Sequence, residues 1–236
     1  MCGRFVLKAT PEEVADYLDL VGLDDFPARF NIAPTQPVLV IVEGAGQQPG
    51  SNLPNRQAML VRWGFIPGWV KDPKTFPLII NARAETAIGK ASFRAAMRHR
   101  RILVPTSGFY EWHRPSKESG EPLQAYWIRP KNGGIVCFGG LMETYMSKDG
   151  SELDTGCILT VGANRSIAQI HDRMPVILNP AAYDEWLDTD IKGNDAKALL
   201  RSQHLNDNLE FHRVGRGVNS SRYDGTDTKK PIINSQ

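Results

Sequence analysis

Residues 38–43 read Val-Leu-Val-Ile-Val-Glu, and residues 57–63 read Gln-Ala-Met-Leu-Val-Arg-Trp. Both stretches are apolar and rich in residues that favour β-strands. Residues 44–55 lie between them and are rich in Gly, Gln, Asn and Pro, which is typical of a loop. The order predicts two strands joined as a hairpin, and this pair is the unit from which the fold is built.

Short strands are also predicted elsewhere, over residues 102–105, 124–129, 134–139, 157–161, 176–178 and 210–214. The segments 124–129 and 134–139 flank a Pro- and Gly-containing turn and are expected to form a second hairpin. Helices are predicted over residues 10–20, 92–101, 179–187 and 195–203, with Thr10, Ser92 and Asn179 as N-caps. Because strands and helices do not alternate regularly, a parallel doubly wound sheet is disfavoured. We predict an α+β fold with a single domain, an antiparallel or mixed, β-rich, barrel-like core and a few peripheral helices.

The composition sets wide limits on function. The chain has 236 residues, of which 41% are hydrophobic, and a net charge of +2. A balanced charge does not indicate nucleic acid as a partner, nor does it exclude a local basic groove. No signal peptide or membrane span is expected, because no apolar run approaches about eighteen residues. We expect one domain over residues 1–224 and a polar, frayed tail over residues 225–236.

The three cysteines are Cys2, Cys137 and Cys157. An odd number with no Cys-x-x-Cys spacing argues against a disulfide framework and against a zinc site, so no metal or other cofactor is expected. Cys137 and Cys157 lie in apolar runs and are interpreted as core residues. This pattern fits a reducing cytosol.

Cys2 directly follows the initiator methionine. Its small side chain favours removal of Met1, after which Cys2 would carry an α-amine and a thiol on adjacent carbons. Such an aminothiol condenses with an aldehyde: the amine forms an imine, and the thiol then closes a thiazolidine ring. Both groups retain reactive forms near neutral pH. The alternative is that Cys2 is a small buried core residue.

Polar residues interrupt apolar stretches at three further places. Asn81 directly follows the apolar residues 77–80, so it is expected to be buried with partners. Arg83 and Glu85 share its face if the strand continues; the alternative, preferred for Glu85, is a strand that emerges into solvent. Glu111 lies between two aromatic residues after a glycine turn, which suits a general acid or base; the alternative is an exposed strand residue. His171 can transfer protons, or it can be a structural histidine in a polar turn.

Aromatic and basic clusters are compatible with nucleic-acid binding. Residues 63–69 read Trp-Gly-Phe-Ile-Pro-Gly-Trp, which can form a rigid stacking surface for bases, although at least one aromatic residue is expected in the core. Basic residues cluster over residues 94–101 and again at Arg213, Arg216 and Arg222. Those near a helix C-terminus can instead complement the helix dipole.

Together, these segments resemble the SOS response-associated peptidase (SRAP) family. The resemblance extends from Cys2 to about residue 218 and rests on several motifs in one order: Cys-Gly-Arg-Phe at 2–5, Asn-Ile-Ala-Pro at a turn over 31–34, Trp-Gly at 63–64, Asn-Ala-Arg-Ala-Glu-Thr at 81–86, Gly-Phe-Tyr-Glu-Trp at 108–112 and His-Asp-Arg-Met-Pro at 171–175. It implies a sensor of abasic sites in single-stranded DNA, including junctions with duplex, that crosslinks through its N-terminal cysteine. It also implies a peptidase activity that removes the preceding residue.

The resemblance further implies roles for individual residues. Cys2 would be the nucleophile, with Asn81, Glu111 and His171 as its active-site partners. The residues expected to face DNA are Arg4, Arg83 and Arg173 at phosphates, Pro34 at the junction, Trp69 and Trp112 against nucleotides, and Thr160 as a polar site residue. We expect a monomer without a membrane partner, cytoplasmic and nucleoid-associated, or nuclear in a eukaryote.

Two other functions fit the same residues. A cysteine peptidase acting in trans would use Cys2 with His171 and either Asn81 or Glu111, and it would cleave peptides. A non-catalytic reader of modified bases would bind DNA reversibly and in a salt-sensitive way, without dependence on Cys2. In the crosslinking interpretation, β-elimination at the imine would give a weak strand-cleaving side activity.

Overall fold

The computed structural model describes residues 2–47, 54–115, 122–200 and 208–232. Within these residues, thirteen strands form a five-stranded and an eight-stranded sheet. The strands are β1 (Arg4–Leu7), β2 (Arg29–Ile32), β3 (Pro37–Glu43), β4 (Arg56–Trp63), β5 (Asn81–Arg83), β6 (Arg101–Thr106), β7 (Gly108–His113), β8 (Gln124–Pro130), β9 (Val136–Met146), β10 (Glu152–Gly162), β11 (Arg173–Pro175), β12 (Ile177–Leu178) and β13 (Leu209–Arg213). The α-helices are α1 (Pro11–Leu18), α2 (Ala84–Ala87), α3 (Arg94–His99), α4 (Tyr183–Leu187) and α5 (Gly193–Leu199).

The eight-stranded sheet contains a closed ring. Its path runs β11-β10-β4-β3-β6-β9-β12, β5 is added beside β10, and β9 also pairs with β10. That last pairing closes β10, β4, β3, β6 and β9 into a barrel. Since β10 is parallel to β4 and β5 but antiparallel to β9 and β11, the sheet is mixed. The predicted β-rich, barrel-like α+β domain is confirmed.

The five-stranded sheet has the order β13-β8-β7-β1-β2 and is antiparallel throughout. Its β7 begins at Gly108, which has φ = +148°. A Cβ atom there would lie 2.5 Å from the carbonyl oxygen of Ile128 and 2.5 Å from the ring of Trp127. Only glycine therefore allows β7 to approach β8 this closely, and this approach sets the position of the rest of β7.

One predicted hairpin is confirmed and the other is wrong. β3 and β4 pair antiparallel, with Leu39 opposite Leu60. In contrast, β8 belongs to the five-stranded sheet and β9 to the eight-stranded sheet. Pro130 has no N–H with which to continue a hairpin, and the amide of Lys131 donates to the carbonyl of Asn208 at 2.9 Å, so the turn is fastened to the β13 side.

The helices follow their predicted capping patterns in part. Thr10 and Glu13 form a reciprocal capping box that starts α1, and Asn179 caps the short 3-10 helix at Pro180–Ala182 ahead of α4. The helix predicted from Ser92 starts later, with Phe93 as N-cap and no side-chain cap bond. The last predicted helix corresponds to α5, and its expected end at residues 201–203 lies outside the described residues.

The core fills the barrel and the space between the sheets. Phe5 of β1 stacks edge-on against Trp63 and Phe138, with ring centroids 5.2 and 6.1 Å apart, so the five-stranded sheet packs on the barrel through β1. Cys137 and Cys157 are buried in this core, as expected.

The C-terminal segment differs from the frayed tail that the sequence predicted. Thr226–Lys229 forms a 3-10 helix, and the buried Thr228 places its Oγ1 2.9 Å from the hydroxyl of Tyr110. This contact anchors the segment at Thr228. A second contact anchors it at Ile232, whose amide donates to the carbonyl of Arg213. Residues 233–236 lie outside the described residues. In the part of the chain that the structure describes, no helix has the length and apolar character needed to cross a membrane.

Candidate active site

Cys2 lies just before β1, at the point where the two sheets meet. Its side chain is fully buried, and its carbonyl oxygen accepts a hydrogen bond of 2.9 Å from Asn81 Nδ2 on β5. Asn81 belongs to the eight-stranded sheet, where it pairs with Ile158 of β10. This side chain therefore ties the N-terminal residue of one sheet to a strand of the other.

The other polar atom of the Asn81 side chain, Oδ1, is also buried. Among the described residues, Asn81 Oδ1 has no hydrogen-bond partner. A buried unpaired acceptor costs free energy, so such atoms in native proteins usually have a reason to remain. Here the acceptor belongs to the same amide group that contacts Cys2, and it is available to a donor that arrives there.

Glu111 is a buried carboxylate whose charge acts on the Cys2 thiol. It is 3% exposed on β7, the strand that pairs with β1, and its Oε1 accepts from the amide of Trp112 at 3.2 Å. The alternative of an exposed strand residue is therefore wrong. Its negative charge acts on the Cys2 thiol, so the two groups are close enough to interact electrostatically.

The thiol of Cys2 is held in its protonated form. Burial, and secondarily the charge of Glu111, raises the pKa of this thiol well above its ordinary range. Its Sγ makes a long contact of 3.9 Å with the carbonyl of Arg4. Burial alone also fits the alternative of a core cysteine; the contacts with Asn81 and Glu111 are what distinguish Cys2 from Cys137 and Cys157.

His171 lies in the turn before β11 and has two neighbours at one ring nitrogen. Nδ1 is 2.9 Å from the amide nitrogen of Arg173 and 2.8 Å from Asp172 Oδ1. The amide contact requires an unprotonated Nδ1, whereas the carboxylate contact suits a protonated one. Both contacts hold the imidazole ring in a fixed orientation in this turn.

Arg173 and Thr160 are linked to Glu85. Because β5 ends at Arg83 and α2 begins at Ala84, Glu85 does not share a strand face with Asn81, and it is exposed, as expected for the end of a strand that emerges into solvent. Glu85 instead forms a bidentate pair with the guanidinium of Arg173, which also donates to the carbonyl of Thr160. No sequence signal pairs residues 85 and 173.

Thr160 itself is fully buried. Its hydroxyl lies 3.4 Å from the carbonyl of Ala82 and 3.3 Å from Arg173 Nη2. A side chain without exposed atoms cannot contact DNA in this arrangement, so the predicted contact is replaced by support for Arg173. Arg83, opposite Thr160 across the β5–β10 pairing, is exposed as expected for a phosphate contact.

Arg4 and Trp112 both contact the C-terminal part of the chain. Arg4 Nη2 donates to the carbonyl of Asn219 at 3.3 Å, and Trp112 Nε1 donates to Asn219 Oδ1 at 2.8 Å. Arg4 Nη1 also donates to Asn31 Oδ1 at 3.0 Å. Asn31, buried at the end of β2, opens the Asn-Ile-Ala-Pro motif, so its burial could have been suspected; it lies in the strand rather than in the expected turn. Asn219 carried no sequence signal.

Pro34 and Trp69 are both accessible to solvent. Pro34 is half-buried in the turn between β2 and β3, before Thr35 with φ = +72°. Trp69 is 60% exposed and packs edge-on against Phe76 at 5.7 Å, whereas Trp63 is buried as expected. Trp69 shares no described contact with Cys2, Asn81, Glu111 or His171, so the structure does not join it to the central group.

The whole-chain comparison decides the family. The family model for SOS response associated peptidase (SRAP) matches residues 1–221. The chain belongs to the SRAP family. The resemblance drawn from the motifs is thereby confirmed, and it extends over both sheets.

Curated relatives match over nearly the full chain. Abasic site processing protein YoaM of Bacillus subtilis is 35% identical over 225 residues, covering 94% of each chain. Abasic site processing protein YedK of Escherichia coli is 31% identical over 246 residues, covering 98% of this chain and 100% of its own. Abasic site processing protein HMCES of Xenopus tropicalis is 28% identical over 271 residues, covering 100% of this chain and 80% of its own.

Solved structures share the fold of this SRAP chain. A phage-related protein from Bordetella bronchiseptica has a TM-score of 0.73 at 27% identity, covering 94% of this chain and 99% of its own. A protein from Bacteroides thetaiotaomicron has a TM-score of 0.79 at 21% identity, covering 98% and 100%; at that identity the likeness concerns the fold alone.

Proposed function

We propose that this protein captures abasic sites in single-stranded DNA as a covalent thiazolidine on Cys2, after removal of Met1. The observation that supports this most directly is the contact between Asn81 Nδ2 and the Cys2 carbonyl, beside the buried Glu111. This arrangement holds residue 2 by its backbone, which is where a new α-amine would lie. The relatives named as abasic site processing proteins support the same substrate.

The chemistry starts at the amine. The open form of an abasic deoxyribose carries an aldehyde, and the Cys2 amine adds to its carbon to give a carbinolamine. Loss of water leaves an imine. The Cys2 thiol then adds across the carbon–nitrogen double bond, its sulfur bonding to carbon and its proton ending on nitrogen. Amine, thiol and aldehyde thus yield a thiazolidine and one water, with no oxidant or cofactor.

The raised pKa of the Cys2 thiol favours this order of steps. A buried, protonated thiol is a poor first nucleophile, so the amine attacks first. Glu111 can accept the proton that the amine loses and return one to the departing water. Asn81 Oδ1, the buried acceptor described above, can orient the amine by a hydrogen bond.

His171 and the surrounding residues complete the proposal. His171 moves a proton at the sugar oxygen to open the ring. Arg4 and Arg83 face phosphates, Pro34 lies where duplex meets single strand, and Trp112 packs against a nucleotide. Trp69 offers a more distant stacking surface for bases. Arg173 contacts a phosphate while it remains paired with Glu85, and Thr160 supports Arg173.

Finer activities belong to the same proposal. The protein acts as a monomer on lesions at single strands and junctions and has weak strand-cleaving activity by β-elimination at the imine. Fast ring closure limits that side reaction. The protonated thiol disfavours the alternative of a peptidase acting in trans, because that chemistry needs a thiolate.

A denaturing gel tests the proposal. The protein is incubated with a single-stranded oligonucleotide that carries one abasic site, then heated in denaturant. We expect a heat-stable shift that is lost in Cys2→Ala and kept in Cys137→Ala, which removes another buried thiol. A full shift in Cys2→Ala would show that another group forms the link.

A further inference from the structure

Residues 216–222, here termed the C-terminal strap, run beside the start of β1. Arg4 Nη1 donates to the carbonyl of Val218 at 2.5 Å, and Arg4 Nη2 donates to that of Asn219 at 3.3 Å. Asn31 Nδ2 lies 3.3 Å from the carbonyl of Val218 and 2.9 Å from that of Ser220. Val218 is fully buried, so the strap is fixed in place by an arginine two residues from Cys2.

The strap also fixes an aromatic side chain next to the candidate catalytic carboxylate. Trp112, which follows Glu111, donates from Nε1 to Asn219 Oδ1 at 2.8 Å. An indole ring that is half-buried and bonded at its nitrogen keeps one orientation, which is what a stacking surface for a base needs. Asn219 is thus the point at which Arg4 and Trp112 meet.

The exposed face of the strap is positively charged. Arg216 and Arg222 are exposed, and neither makes a side-chain hydrogen bond or ion pair with any described residue. The acidic side chains that follow are engaged elsewhere: Asp224 Oδ1 accepts from the amide of Phe30, and Asp227 Oδ1 accepts from the hydroxyl of Tyr223. Both guanidinium groups are therefore available to anions at the surface of the segment that Arg4 and Trp112 hold in place.

We propose that the C-terminal strap is one wall of the DNA groove: Arg216 and Arg222 bind phosphates of the single strand, and Asn219 positions Trp112 against a nucleotide. This inference rests on the proposed function and adds to it a second, sequence-independent contact surface. We expect a polyanionic strand as the partner. The two guanidinium groups can bind its phosphates, and the oriented ring of Trp112 can stack on a base without reading its identity.

Salt-dependent binding tests the arginines separately from the covalent step. Fluorescence anisotropy with an undamaged single-stranded oligonucleotide compares Arg216→Ala and Arg222→Ala with Lys148→Ala. Lys148 is exposed in the β9–β10 turn, about 25 Å along β10 from Thr160. Each arginine variant should bind about three- to tenfold more weakly, with a salt slope reduced by about 0.7 for each lost phosphate contact. Lys148→Ala should match the parent protein.

The crosslinking reaction gives the complementary measurement. The arginine variants should need more abasic DNA for half-maximal rate while keeping the rate at saturation. Arginine variants that match Lys148→Ala in affinity and salt slope overturn the inference, even if Cys2-dependent crosslinking is observed. If no protein crosslinks at all, the proposed function fails, and the anisotropy result still decides whether the strap binds DNA.

A double-mutant cycle tests Asn219 as a positioning residue. Asn219→Ala should weaken DNA binding in the parent protein, whereas in the background of Trp112→Phe, which lacks the Nε1–H donor, it should have no further effect. Asn219→Ser, which keeps a hydroxyl acceptor, should restore part of the loss. Effects of Asn219→Ala that are equal in both backgrounds would mean that Asn219 does not act through Trp112.

Discussion

The guanidinium of Arg173 forms a bidentate ion pair with the carboxylate of Glu85, with Nη1–Oε1 at 2.6 Å and Nη2–Oε2 at 2.9 Å. The same guanidinium donates to the carbonyl of Thr160 at 2.6 Å, so one side chain joins β11, α2 and β10. The Arg173 side chain is only 14% exposed, whereas that of Glu85 is half exposed. A phosphate that reaches Arg173 must therefore share it with Glu85 or displace the carboxylate toward solvent.

Glu85→Gln should lower stability in a pH-dependent way. The hydrogen bond from Arg173 lowers the pKa of Glu85, so this pair stabilises the fold above the usual glutamate range and loses its effect as pH falls through the folded-state value. Because Glu85 is half exposed, solvent screening limits the loss at pH 7 to about 0.5–1 kcal/mol. Urea unfolding should show a difference from the parent protein at pH 7 that shrinks below about pH 4.

Glu210→Gln is the matched control for that comparison. It removes one carboxylate from an Arg129 pair in which both side chains are substantially exposed, at 38% and 41%. Its effect on stability should be smaller than that of Glu85→Gln. A pH-independent loss in Glu85→Gln, or equal losses in both variants, would contradict the role assigned to the Arg173 pair.

Asn81→Ala should slow capture of the lesion without loss of DNA affinity. The variant removes the 2.9 Å hydrogen bond to the Cys2 carbonyl and the buried acceptor beside it. Loss of one such orienting contact corresponds to about 10- to 100-fold in rate. Single-turnover crosslinking at saturating abasic DNA measures this. An unchanged rate would show that Asn81 does not orient the terminus.

The two core cysteines should make stability fall at alkaline pH. Burial raises the pKa of Cys137 to about 12 and that of Cys157 further. A raised folded-state pKa leaves stability intact below the unfolded-state value of about 8.5 and reduces it as pH rises above that value. Between pH 7.5 and 9.5, each thiol should account for about 1 kcal/mol of the loss. The double variant Cys137→Ala/Cys157→Ala should lose less over the same interval, and an equal loss would contradict this.

Gly108→Ala should destabilise the fold and the site together. The added Cβ would meet the Ile128 carbonyl and the Trp127 ring at 2.5 Å, at a φ of +148° that disfavours side chains. We expect a loss of about 3 kcal/mol, seen as a lower unfolding midpoint. Gly162→Ala is the control, because nothing lies within 4 Å of its Cβ position, and its effect should stay within about 0.5 kcal/mol.

Local sequence patterns predicted where most strands lie, but they did not always predict which strands pair. The apolar runs of β3 and β4 are separated by one loop, so their pairing follows from adjacent sequence. For β8 and β9 the same reasoning failed, because each strand forms its hairpin with the other neighbour in the sequence, β8 with β7 and β9 with β10. Their further partners include β13 and β6, which lie farther away in the chain. Strand propensity fixes where a strand lies, while pairing depends on contacts that a linear pattern does not contain.

The site divides in the same way. Glu111 and Asn81 were identifiable because a polar residue inside an apolar run needs a buried partner. Glu85 was correctly expected at the surface, but a shared face with Asn81 would have required β5 to continue, and the chain leaves the extended conformation at Ala84. The role of Asn219 could not be predicted, because its hydrogen-bond partner Trp112 is 107 residues away in the sequence.

The mass of the intact adduct tests the central claim most directly. The parent protein is reacted with an abasic oligonucleotide, treated with borohydride or left untreated, and weighed. We predict one species that equals the sum of protein and DNA, less the Met1 residue and one water, with the same mass after borohydride because a thiazolidine has no imine to reduce. An adduct that retains Met1, or one that gains two hydrogens with borohydride, would contradict the proposed ring closure on Cys2.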